Sequence, residues 1–119
     1  MTPVPNRRRD IVQMTHTSVL ARRVWIRGRY ATLPYEAGWA TEAVFFTQAE
    51  GDHPELTIAA EISPDGITWV PWGDPDTLAE GDEMAALALT RFGSWVRLVI
   101  SGANESRPAR VLVHVSLKG

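Results

Sequence analysis

The chain has 119 residues, 45% hydrophobic and 22% charged, an ordinary balance for a single globular domain. It contains no Cys, which excludes disulfides and thiolate metal sites and leaves the redox compartment open. The net charge of −2 hides an asymmetry: residues 1–30 carry seven Arg against Asp10 alone, a balance of +6, and residues 31–119 carry five basic groups against thirteen acids, a balance of −8. Such a separation predicts either contact with an acidic protein surface or nucleic acid, or ion pairs within the molecule itself.

Residues 1–10 (MTPVPNRRRD) hold two Pro and three Arg with no apolar periodicity, and read as a flexible basic arm. Residues 11–119 are expected to form one domain. No long apolar core follows the triple Arg, so no signal peptide is evident, and no run approaches the roughly 18 apolar residues of a membrane span. The expected location is cytoplasmic or virion, without membrane contact. Over residues 17–27 the alternation of Val24 and Ile26 against Trp25 and Arg27 favours a strand, while the four-residue spacing of Leu20 and Val24 also suits a helical turn.

Residues 31–39 (ATLPYEAGW) read as a loop around Pro34 and Gly38, and the pattern beyond Ala40 is β. Two stretches look like one hairpin written twice. In 44–63 an apolar strand runs to Gly51, a loop carries Pro54, and Leu56, Ile58, Ala60 and Ile62 share one face of a second strand. In 96–116 the counterparts are Gly102, Pro108 and the face of Val111, Val113 and Val115. Half-buried antiparallel strands alternate in this way. Ser63-Pro64-Asp65-Gly66 has the residues of a tight turn and predicts a hairpin from 56–63 into 67–72, with a bulge at Gly66 and Trp69 beneath the turn. Residues 73–83 are an acidic loop, and Met84–Thr90 (MAALALT) is a weaker strand. Seven or eight strands at this spacing predict an all-β antiparallel sandwich of jelly-roll or Ig-like type.

Little in the chain carries catalytic chemistry. There is no nucleophile elbow and no phosphate loop, and His16, His53 and His114 are dispersed without metal-ligand spacing. The expectation is no catalytic residue, no cofactor and no metal. Asp74, Asp76, Asp82 and Glu83 could offer oxygen ligands to calcium, but their order does not match an EF-hand loop. Five Trp are an excess that core packing does not absorb, and exposed Trp and Arg anchor interfaces. The candidate partner-binding residues are Arg7, Arg8, Arg9, Arg22, Arg23, Trp39, Trp72 and His53.

Residues 43–119 also carry Gly51, Pro54, Leu56, Ile58, Ser63, Asp65, Gly66 and Trp69, then Phe92, Gly93 and Arg97, then Pro108, Val111, Val113, Val115 and Lys118. That order resembles small β-sandwich structural and decoration proteins of tailed phages and prophages. Asp52 and His53 depart from it, standing where small residues follow the Gly. The resemblance implies a non-catalytic subunit of a large assembly such as a phage-like particle, a homo-oligomer held by protein–protein contacts. The alternatives are a carbohydrate-binding module using exposed Trp, or a scaffold subunit of an enzyme complex.

Overall fold

The computed structural model describes residues 15–119. The basic arm and its Arg7, Arg8 and Arg9 lie outside the described residues. Ten strands follow in order: β1 (Thr15–Ile26), β2 (Tyr30–Ala31), β3 (Tyr35–Glu36), β4 (Glu42–Glu50), β5 (Leu56–Ser63), β6 (Val70–Pro71), β7 (Asp76–Leu78), β8 (Met84–Thr90), β9 (Trp95–Ser101) and β10 (Ala109–Lys118). No helix occurs among the described residues, so the segment 17–27 resolves as strand through Ile26. The count exceeds the expected seven or eight because the stretches read as loops contribute the short pieces β2, β3 and β7.

The strands form two antiparallel sheets. Sheet A runs β1-β10-β4-β8, and sheet B runs β2-β9-β5-β6, with β3 also on β9 and β7 also on β5. The sheets face each other across one core. Alternation places Ala43, Phe45, Thr47 and Ala49 of β4 and Val111, Val113, Val115 and Leu117 of β10 inward. Leu56, Ile58 and Ala60 of β5 and Val96, Leu98 and Ile100 of β9 close the core from the other side. This is a β-sandwich.

The repeated motif is not a pair of hairpins. β4 lies in sheet A and β5 in sheet B, and β9 and β10 are likewise split. Each copy is an arch that crosses from one sheet to the other, and the arches nest: β4 pairs with β10, and β5 with β9. Glu50 opposes Arg110 and Thr57 opposes Ser101, so both loops stand at one end of the sandwich. The loops pack tightly there. A Cβ on Gly102 would collide with the Glu55 carbonyl, and Gly102 has a φ of +115°.

The turn after β5 forms as expected but opens into a longer loop. The Ser63 hydroxyl donates to Asp65 Oδ1 and accepts from the Gly66 amide, and Oδ1 accepts from the amides of Ile67 and Thr68. Those side-chain bonds hold 67–69 off the ladder, so pairing resumes only at Val70 and Pro71, where β6 ends the path of sheet B and the missing Pro71 N–H is harmless. The ring beneath the turn is Trp95, which lies against Gly66; Trp69 is half-buried under the Arg97 guanidinium, 4.4 Å from its ring centre.

Candidate functional site

The outer faces of the two sheets differ in kind. On sheet B, Glu61 takes a 2.6 Å ion pair from Arg97 and a longer one of 3.7 Å from Arg29, so its charges are paired within the molecule. On sheet A, the outward residues follow from register. One row crosses the sheet as Thr17, Ser116, Val44 and Ala88. The next is Val19, His114, Phe46 and Ala86, and the third is Leu112, Gln48 and Met84 on β10, β4 and β8, with the bulge of β1 at Arg22 and Arg23 beside Leu112. On β10, β4 and β8 none of these positions is Asp, Glu, Lys or Arg. Val19 and Met84 are exposed, and Phe46, Val44 and Leu112 are half-exposed. Charge stands at the ends of this face and at the β1 bulge. At the arch end Arg23 pairs with Glu50 at 3.0 Å, Arg110 stands 3.4 Å from the same carboxylate, and Trp25 opposite Arg110 is 53% exposed.

A second feature is an open groove of about 450 Å³ lined by Thr15, His16, Tyr35 and Trp39. It lies where the edge strand β1 of sheet A approaches β3 of sheet B. His16 and Ser18 oppose the inward Leu117 and Val115, so they point between the sheets. The Ser18 hydroxyl is 2.6 Å from the Tyr35 hydroxyl and 3.1 Å from His16 Nε2. The Trp39 turn is held firmly. Gly38 N donates to Glu36 Oε2, Ala37 N to Ser94 O, and Thr41 N to Lys118 O, while the Trp39 carbonyl and ring pack on Gly119.

The other candidate residues separate. Arg22 is exposed and Arg23 is engaged with Glu50. Arg27 and Arg29 approach Glu105 and Glu61, so part of the N-terminal excess of charge is answered inside the molecule. Trp72 is partly exposed beside a shallow groove with Ala88 and Arg91, and its indole N–H donates to the Thr90 carbonyl, fastening the loop to β8. His53 is a correction: expected at a loop tip open to partners, it is 2% exposed. Its ring nitrogens stand 2.7 Å from the Pro54 and Asp82 carbonyls, joining the first arch to the loop before β8. The acidic loop does not gather its carboxylates: among the described residues no three His, Asp or Glu groups converge as a metal cluster. Phe46, Val19, Trp25 and Ala86 escaped sequence reasoning, although β4 (AVFFTQA) and β8 (MAALALT) show it in having apolar residues at both phases of the alternation.

A family described as Domain of unknown function (DUF6385) matches residues 37–118, from the Trp39 turn to the last strand. The chain belongs to this family. No curated protein matches the DUF6385 chain in sequence. Among solved structures, the PBSX exported protein XepA is similar at TM-score 0.68 and 14% identity, over 87% of this chain and 37% of that one. Tripeptidyl peptidase 2 is similar at 0.58 and 8% identity, over 90% of this chain and 10% of that one. A chain of the Bacillus endospore appendages, described as a novel family of disulfide-linked pili, reaches 0.50 at 14% identity, over 89% and 88% of the two chains. At these identities the likeness shows the fold alone. The DUF6385 chain spans little more than a third of XepA and a tenth of the peptidase.

Proposed function

We propose that this chain is a non-catalytic structural subunit of a larger protein assembly, of the phage-like kind its sequence resembles, and that copies of it meet through the outer face of sheet A. The observation that carries this reading is the centre of that face, where Val19, Val44, Phe46, Leu112, Met84, Ala86 and Ala88 outnumber Thr17, Ser116, His114 and Gln48. Water-exposed sheet faces ordinarily alternate to polar residues, and a contiguous apolar patch marks a surface that is covered in use. The uncharged rows take about half of the outer face, and the whole face, four strands at about 4.8 Å and nine residues at about 3.4 Å, gives roughly 600 Å² in projection. That approaches the roughly 800 Å² per partner of a standard interface. A second copy suits it because the face is self-complementary. In a two-fold stack the Phe46 ridge of one copy meets the shallow Ala86 and Ala88 strip of the other, with no like charges opposed in the centre. The sandwich fold itself is shared with the PBSX exported protein XepA.

Sedimentation of the full chain over a range of concentrations tests this. Self-association is expected, and Phe46→Asp or Ala86→Arg is expected to abolish it by burying a charge without a partner. Because the contact is apolar, association should persist at high salt; contact through Arg7, Arg8 and Arg9 with an acidic body would weaken there instead. A chain that stays monomeric at high concentration, or variants that associate as well as the parent, would overturn the proposal.

A further inference from the structure

The groove between β1 and β3 has a chemistry that assembly does not use, and we infer that it binds a neutral saccharide. Tyr35, Ser18 and His16 form a chain of hydrogen bonds. Ser18 has a single proton, and when it donates that proton to one of these two neighbours the chain runs in one of two directions. If Tyr35 donates to Ser18 and Ser18 to His16 Nε2, then Nδ1 of a neutral ring carries the proton and donates outward, while the Tyr35 oxygen accepts. If the chain reverses, Nδ1 accepts and the Tyr35 hydroxyl donates. In both cases the groove offers one donor and one acceptor at its two free ends. A pair of sugar hydroxyls, each able to give and to take a hydrogen bond, is satisfied by either arrangement.

The remaining wall supplies the other half of sugar recognition. The Trp39 side chain is 44% exposed at the groove, on a turn anchored on both sides by backbone bonds. An indole held open to solvent presents a flat apolar surface, which suits the C–H face of a pyranose ring. Among the described residues none that lines the groove is Asp, Glu, Lys or Arg, so that lining favours a neutral ligand. Its volume, about 450 Å³, lies in the range of small-ligand sites. The turn is already built, so little ordering would oppose binding.

The test is titration of the full chain with cellotetraose, laminaritetraose, maltotetraose and chitotetraose, followed by Trp fluorescence and by calorimetry. At least one is expected to saturate. Trp39→Ala should weaken it at least tenfold, and His16→Ala, at an exposed position near the start of β1, should weaken it several-fold. Tyr35→Phe should do the same by breaking the relay. Phe46→Asp, on the other face of sheet A, should leave sugar affinity unchanged, which separates this site from the assembly surface. Absence of saturation with all four sugars would overturn the inference. So would binding that survives in folded Trp39→Ala and His16→Ala, or a preference for oligogalacturonate over the neutral sugars.

Discussion

Thr47 points into the core from β4, and its buried hydroxyl finds no hydrogen-bond partner. A buried donor left unmade costs more than an exposed one gains, so Thr47→Val, nearly equal in shape, is expected to raise stability by about 1 kcal/mol in urea denaturation. A fall instead would mean that the hydroxyl is bonded in solution. The opposite economy holds at Asp65. Amides of Thr68 and Ile67 and the Ser63 hydroxyl all donate to its carboxylate, which holds its pKa below the usual carboxylate range. A carboxyl lowered on folding stabilises the protein above its unfolded pKa, near about 4, and that contribution disappears as pH falls through the folded value. The melting temperature should therefore decline on acidification through and below about pH 4, and Asp65→Asn should flatten part of that decline. An identical slope in the two proteins would assign the acid sensitivity elsewhere. His53 shows a different limit of sequence reading. A loop His after Gly51 looks exposed, yet both ring nitrogens face backbone carbonyls, one of them on the loop before β8. Nothing in the local sequence names Asp82 as its distant partner.

At the scale of elements, the alternations in β4, β5, β9 and β10 were legible because inward residues repeat every second position. What alternation does not encode is the neighbour. A strand, a short loop and a second strand have the same apolar pattern whether the chain returns beside itself or crosses to the facing sheet. The arch is decided by contacts far apart in sequence, such as Gly102 against Glu55 and the Arg107 side chain between Glu80 and Asp52. The two loop glycines report this. Gly51 has a φ of +70° and open space around an added Cβ, whereas Gly102 combines a φ of +115° with the Glu55 backbone in the way. Gly51→Ala is expected to cost about 1 kcal/mol from backbone strain, and Gly102→Ala about 3 kcal/mol, because the neighbouring arch must also move. Equal costs in urea denaturation would show that the loops do not depend on each other.

For the whole molecule, the sandwich uses its sheets asymmetrically. Sheet B carries Glu61, Arg97, Arg29 and Trp69 on its outer side, with Glu61 paired to both arginines and Trp69 under Arg97. Sheet A leaves Phe46 and Val19 facing out while Phe45 is fully buried one residue away. The sequence shows two apolar phases in β4, but only the register across β1, β10, β4 and β8 reveals that the second phase forms one surface. Stability and association should therefore separate by face. Leu98→Ala, in the core on β9, is expected to cost about 2–5 kcal/mol of folding stability through the cavity it leaves, with association intact in the folded fraction. Phe46→Asp is expected to abolish association, and at concentrations where the parent chain is itself monomeric it should barely move the urea midpoint. Dilution matters because an associated state borrows stability from its partner by mass action. If Phe46→Asp instead lowers the monomer's midpoint as far as Leu98→Ala and leaves sedimentation unchanged, the outer face of sheet A is part of the fold and not a surface for a second copy.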